Sequence, residues 1–421
     1  MPDLSHKRQL AGMGVALGVL IALASVPSLA AGKALIVTPR GDGDFPSIQA
    51  AIDAAAPGDT VLLTNGTFSG SGNRDISFLG KSIVVRSASD VPESCVVDCQ
   101  RQGQGFCFYW EEPAAAVLRG VTITKSDLDG HGGAIYCNAA SPTIELCIIT
   151  RNQATRGGGI YCGEGSAPHF TDCRIVENTT EMVPTPGVGG AMLSSYSAPV
   201  FERCAIEGNT SGGPGGGLYC SSGSLTLREC TIRGNGESGV LVSYGTSLLV
   251  ENCVFSGNDI GAVDCHQATA TIISSTIAAN ISSIYSAGIH CRGGSSIALR
   301  QTVLWGNCGP AETSQILVED GSSVEMECCL VDTSGVGGEG TVTYVGEQVC
   351  ADPLFCDPPP CGDDPTTAGE FTLYNLSPCL PERNPCGVLI GAAGRGCQLT
   401  PPAQETSWGR LKAAFGTPAG E

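Results

Sequence analysis

One pattern recurs through the middle of the chain: a Cys or small residue, any residue, an apolar residue, two further residues and then Asn. It reads Cys147-Ile148-Ile149-Thr150-Arg151-Asn152 and ends again at Asn178, Asn209, Asn235, Asn258, Asn280 and Asn307, at intervals of 26, 31, 26, 23, 22 and 27 residues. Between these copies runs a Gly-rich turn followed by apolar-x-Cys or Ser. It occurs as Gly132-Gly133-Ala134-Ile135-Tyr136-Cys137, Gly158-Gly159-Ile160-Tyr161-Cys162, Gly189-Gly190-Ala191-Met192-Leu193-Ser194 and Gly216-Gly217-Leu218-Tyr219-Cys220. Weaker copies end at Ser243, Cys265, Cys291 and Val318.

Each unit holds two or three short strands with period-2 alternation and no helical stretch. Such a unit cannot bury its own apolar face, but stacked copies can, with each strand paired in parallel to its counterpart one repeat later. The fold expected is all-β: a right-handed parallel β-helix, its hand set by the chirality of parallel crossovers. About 11 or 12 rungs at about 4.8 Å give a tube roughly 55 Å long. Asn suits a corner that needs left-handed backbone, and its amide can bond the Asn above and below. The Gly pairs serve the opposite corner. Missing helical periodicity excludes leucine-rich and helical solenoids, and the short repeat excludes a propeller.

Composition fits this reading. Only 15% of the 421 residues are charged, and Gly numbers 58, as expected of uncharged outer strands joined by Gly corners. The net charge of -19 argues against a nucleic-acid partner, whose phosphates need clustered Lys and Arg. The 22 cysteines divide into groups. One column is Cys137, Cys162, Ser194, Cys220, Ser243, Cys265 and Cys291; a second is Cys95, Val121, Cys147, Cys173, Cys204, Cys230, Cys253, Ser275, Thr302 and Cys328. Exchange of Cys with Ser, Val and Thr points to small inward side chains. Ladder disulfides are the alternative, since adjacent strands lie within disulfide Cα range, although in-register side chains do not point at each other. No Cys-x-x-Cys occurs, and no metal or cofactor is expected.

At the front, Lys7 and Arg8, the apolar run Leu10 to Val26 and the small residues before Ala31 read as an export signal over residues 1–30, with no membrane span after its removal. The solenoid is expected over 31–345, a Cys-rich C-terminal cap over 346–400 and a tail over 401–421. Cys350, Cys356, Cys361, Cys379, Cys386 and Cys397 read as about three disulfides in that irregular cap. In the tail, Ser407 to Phe415 reads as a short amphipathic helix, either a docking tag or the last helix of the fold. Phe45 to Ala55 reads as a short capping helix, followed by Pro57-Gly58-Asp59-Thr60-Val61-Leu62-Leu63 as turn and strand. This segment, with Gly66-Thr67-Phe68 and Gly80-Lys81-Ser82-Ile83-Val84-Val85, resembles the capping start of the pectin-lyase-like β-helix superfamily. The Gly-Gly-Ala-Ile form at 132–135 and Phe255-Ser256-Gly257-Asn258 are similar to the paired motifs of chlamydial polymorphic outer-membrane proteins.

The superfamily resemblance implies a polysaccharide lyase or glycoside hydrolase, and the second resemblance implies an adhesin-like scaffold that binds glycan or a cell-surface protein without turnover. The sequence lacks an Arg-x-Lys after Gly130-His131-Gly132, and His131 aligns with Arg156 in an ordinary turn. The noncatalytic, extracellular reading is therefore the expectation, with the enzyme as its alternative. Outward residues of the Gly-rich strands are expected to be Tyr136, Tyr161, Leu193, Tyr219, Val242, Asp264, His290 and Leu317. Tyr136, Tyr161 and Tyr219 are candidate binding residues, as rings that stack on sugars or anchor a partner. Asp264, His266, His290 and Arg292 are candidate catalytic residues, because a carboxylate beside His fixes its tautomer and supports acid-base work.

Overall fold

The structure is a computed structural model that describes residues 32–180, 186–360, 362 and 364–398. The export signal, Cys361 and the tail helix lie outside the described residues. The chain winds through three parallel sheets in turn. One coil passes Thr143–Glu145 in the first sheet, Ile148–Thr150 in the second and Ile160–Cys162 in the third, and returns to the first at His169–Thr171. The first sheet holds 13 strands and the other two 11 each. Pairing is in register from coil to coil, as in Ile135↔Ile160 and Ile144↔Phe170, so like residues stack into columns.

The core is made of those columns. Leu118, Ile144, Phe170, Phe201 and Leu227 fill it from the first sheet, and Ile149, Ile175, Ile206 and Ile232 from the second, all buried. Phe170 and Phe201 stack with centroids 4.6 Å apart and planes 8° from parallel, as the rung spacing requires. At the front, the helix Ile48–Ala54 begins at Ser47, whose hydroxyl accepts from the Ala50 amide at 3.2 Å. Ile48, Ala51 and Ile52 turn into the core. The Lys81 ammonium closes the helix, donating to the carbonyls of Ile52, Asp53 and Ala55 at 2.7, 2.9 and 2.9 Å, where the helix dipole favours a cation.

The Asn column forms a continuous ladder. From Asn152 to Asn307, each side-chain NH2 donates to the carboxamide oxygen of the next Asn at 2.8–3.0 Å. The ladder ends on Gln315 Oε1 at 2.7 Å. The expected backbone role of these Asn residues is corrected. The left-handed residue is the one before each Asn: Arg151, Glu177, Gly208, Gly234, Gly257, Ala279 and Gly306 all have φ between 55 and 63°. Asn is selected for its amide, which satisfies buried backbone of the preceding coil, as Asn235 does for the Ile206 carbonyl and the Asn209 N–H. At the Gly corner the expectation holds: Gly189 has φ 71°, and a Cβ there would run into the Met192 carbonyl.

The opposite, sharp corner between first and second sheets is built alike. Leu146, Asp172, Arg203, Glu229, Asn252, Ser274, Gln301 and Cys328 each carry the left-handed turn, with φ from 48 to 55°. The next residue points inward, and its thiol or hydroxyl donates to the carbonyl two residues back: Cys173 to Thr171 at 3.3 Å, Cys230 to Arg228 at 3.1 Å, Ser275 to Ile273 at 2.8 Å and Thr302 to Arg300 at 2.8 Å. Backbone amides in turn donate to the next coil's side chain, Cys230 N to Cys253 Sγ at 3.3 Å and Cys253 N to Ser275 Oγ at 3.1 Å. The column therefore selects a small donor, which Cys, Ser and Thr share and which Val121 lacks. Both column lists need a one-residue correction. Cys220 is followed by Val242 rather than Ser243, and Thr302 by Cys329 rather than Cys328, because Leu330 is the partner of Val303. The outward residue of the Val240–Ser243 strand is accordingly Leu241.

All the column cysteines are buried thiols. Burial pushes Cys95 up to about 12 and Cys137 and Cys265 well above the ordinary thiol range. The C-terminal cysteines differ from expectation. Two disulfides join described residues, Cys328–Cys386 and Cys356–Cys397, with Cα separations of 6.1 and 6.0 Å, while Cys379 is a buried thiol and Cys350 an exposed one. Cys328 is free to pair because its left-handed turn directs it out of the tube. The Cys-rich segment does its covering from the side. Phe355, Phe371, Leu373, Leu380 and Ile390 pack with Ala278, Val303 and Leu330 of the second sheet. Thr366 N donates to the Gly257 carbonyl at 3.0 Å, and Gly391 N to that of Gln301 at 2.7 Å.

Candidate site on the outer face of the third sheet

The second sheet is partly covered by the Cys-rich segment, and the first carries ion pairs along its outside, such as Arg119–Glu145 at 2.7 Å and Arg228–Glu251 at 2.8 Å. The third sheet presents the column Cys107, Tyr136, Tyr161, Leu193, Tyr219, Leu241, Asp264, His290 and Leu317. It has an aromatic end and a charged end.

At the aromatic end, Tyr136 and Tyr161 stack with centroids 5.3 Å apart and planes 14° from parallel, and His131 stacks on Tyr161 at 4.5 Å. The stack stops at the coil preceding Tyr136, where Cys107 stands in the ring position. Its small side chain leaves a cavity of about 260 Å³ lined by Gln104, Cys107, Tyr109, Gly130, His131 and Tyr136. Gln104 is fixed in the wall, accepting from Cys107 Sγ at 3.1 Å and donating to the Gly132 carbonyl at 3.0 Å. Burial and the nearby Arg156 guanidinium hold His131 below the ordinary histidine range. Tyr219 stands apart from the stack, beyond Leu193, with its hydroxyl 3.2 Å from Ser243 Oγ.

At the charged end, adjacent coils bring Asp264 beside His290 and His266 beside Arg292. Arg292 forks onto Asp264 at 3.2 and 3.0 Å, and that carboxylate raises its pKa further. His290 is 3% exposed. Its Nε2 lies 2.9 Å from Glu319 and its Nδ1 3.9 Å from Asp264. Nδ1 is buried and makes no hydrogen bond. The Tyr285 ring stacks over the imidazole at 4.8 Å. His266 is not part of this group, since its ring tilts toward Tyr244 at 6.1 Å. The structure thus assembles three of the four expected residues and adds two. Glu319 follows Cys291-Arg292 in the register by which Cys291 meets Val318, so extending the column by one residue finds it. Tyr285 lies in a loop, where no periodicity reports position. Gln104 and Tyr109 were missed because their coil precedes the regular copies of the repeat.

Among the described residues, no group of three His, Cys, Asp or Glu side chains is placed to hold a metal ion, and no helix is long and apolar enough to cross a membrane. No curated protein matches the sequence. Among solved structures, the chain is similar to pectate lyase Pel9A, at 14% identity over 87% of this chain and 97% of that one, with a TM-score of 0.52. More distant are an alginate lyase from Paenibacillus sp. str. FPU-7 (13% identity, 76% of this chain and 99% of that one, TM-score 0.33) and a mannuronic acid specific polysaccharide family 6 lyase from human gut microbiota (16%, 76% and 79%, TM-score 0.38). These likenesses concern the fold. The profile of the right-handed β-helix region matches residues 56–247 and 216–354, which spans the coils, both ladders and the whole face just described. The chain belongs to the right-handed β-helix family.

Proposed function

We propose that the protein binds an extracellular polysaccharide along the outer face of the third sheet, with one sugar ring seated against Tyr136. The observation that carries this reading is the interrupted aromatic stack. Tyr161 is covered on one side by Tyr136, whereas Tyr136 faces a cavity of about 260 Å³ where the preceding coil supplies Cys107 instead of a ring. A sugar presents an apolar face that stacks on an aromatic ring and hydroxyls that meet polar walls. The volume lies just under the roughly 300–1,000 Å³ of pockets for drug-sized ligands, which suits one ring of a polymer. Similarity to pectate lyase Pel9A supports a carbohydrate ligand only by way of a shared fold. Two substitutions test the site from opposite sides. Tyr136→Ala removes the platform, and Cys107→Tyr fills the gap by continuing the stack. Each is expected to weaken polysaccharide binding about tenfold or more in calorimetric titration or affinity electrophoresis, while Cys107→Tyr keeps the thermal midpoint at or above that of the parent protein. Unchanged affinity in both would remove the site.

A second reading, cleavage of the bound polymer, is favoured by the charged end of the same face. There a buried imidazole lies between Glu319 and Asp264 with one nitrogen unpartnered, an arrangement able to move a proton. His290 lies six coils beyond Tyr136, roughly 29 Å at about 4.8 Å per rung, a span a bound polymer bridges. If the protein cleaves, His290→Gln and Asp264→Asn are expected to abolish release of reducing ends or unsaturated products and leave binding at Tyr136 intact. Binding without release by the parent protein leaves the scaffold role, with adhesion as its use.

A further inference from the structure

The charges around the cavity point to which sugars it accepts. We infer that the third-sheet face takes a neutral polysaccharide and rejects a polyuronate; this inference rests on the saccharide-binding reading above and narrows it. A polyuronate carries a carboxylate on every ring, and taking those carboxylates out of water requires cations aimed at them, best as guanidinium forks. No Lys or Arg lines the cavity, and the charged groups farther along this face are paired with one another. Arg292 spends both arms of its fork on Asp264, and His290 is bonded to Glu319. His131, inside the cavity wall, is held toward its neutral form by burial and by Arg156. Arg156, the register partner of His131, is exposed and stands outside the cavity lining. A uronate ring against Tyr136 would thus find no ammonium or guanidinium in the cavity wall to take its carboxylate. A neutral ring meets Gln104, Tyr109 and His131 as polar partners for its hydroxyls and has no carboxylate to desolvate.

The test is a binding panel with the full chain, in buffer containing calcium, against soluble neutral polymers (xylan, mixed-linkage glucan, mannan, galactan) and against polygalacturonate and alginate. At least one neutral polymer is expected to bind, with affinity unchanged from about 50 to about 500 mM NaCl, because no screened charge attraction contributes. Polyuronates are expected to bind at least about tenfold more weakly. Neutral-polymer binding should be lost in Tyr136→Ala and in Cys107→Tyr. A polyuronate bound as tightly as any neutral polymer, and lost in those two variants, overturns the neutral preference while keeping the saccharide site. No binding that responds to either variant overturns the saccharide site and, with it, this inference.

Discussion

Asn235→Ala is expected to destabilise the solenoid by about 4 kcal/mol, because several buried polar groups lose a partner at about 1–3 kcal/mol each. Asn235 lies at the middle of the ladder and is fully buried. Its NH2 donates to Asn258 Oδ1 at 2.8 Å and to the Ile206 carbonyl at 3.1 Å, and its oxygen accepts from the backbone and side-chain nitrogens of Asn209, both at 3.0 Å. Alanine leaves both Asn209 donors and the Ile206 carbonyl without these bonds. Because a solenoid couples each repeat chiefly to its neighbours, the loss divides the tube into two weakly joined halves. Urea unfolding followed by far-UV circular dichroism should show a lower midpoint and a broadened or two-step transition. A single transition with a midpoint within error of the parent protein's would show that the ladder does not hold the coils together.

Phe371→Ala is expected to loosen the Cys-rich segment from the second sheet, to which Cys328–Cys386 still ties it, without unwinding the coils. Phe371 is 3% exposed and meets Phe355 edge to face with centroids 5.2 Å apart, while the Arg233 guanidinium lies 5.7 Å from its ring centre. Truncating a buried Phe costs about 3–5 kcal/mol, enough to raise the open population of the segment although Leu373, Leu380 and Ile390 and the main-chain bonds to Gly257 and Gln301 remain. The signature is covalent. Limited proteolysis should cut the variant within residues 358–396, and Cys356–Cys397 and Cys328–Cys386 should hold the fragments together until a reductant is added. Release of fragments without reduction, or protection equal to the parent protein's, would contradict this account.

The Asn and Gly-Gly spacings suffice to read the solenoid, since the same residue types recur wherever the same corner recurs. Register was legible to within one residue, and both slips have local causes. In Val240–Ser243 all four residues are buried, so alternation gives no sign of which faces in. In Cys328-Cys329 two identical residues compete, and the left-handed turn at Cys328 decides between them. The apolar outward residues Val254, Val303 and Leu330 were the sign that something covers the second sheet, a sign hidden because the covering segment follows in an irregular region without periodicity. At the candidate site, the tyrosines and the Asp264, His290 and Arg292 group follow from column counting. The cavity does not, because it depends on a small residue, Cys107, standing where its neighbours in the column carry rings.

Both ladders point one way along the tube, every Asn giving its donor to the following coil and its acceptor to the preceding one. The two faces of any coil are therefore complementary to the faces of any other, whatever the number of residues in the loop between its strands. Duplicating or deleting a whole coil at the DNA level would leave each hydrogen bond matched, whereas gain or loss of part of a coil would orphan an Asn and shift an entire strand to the wrong face. Length in a molecule built this way would thus change in steps of one coil, and its outer face would lengthen or shorten while the pitch and the core stay constant.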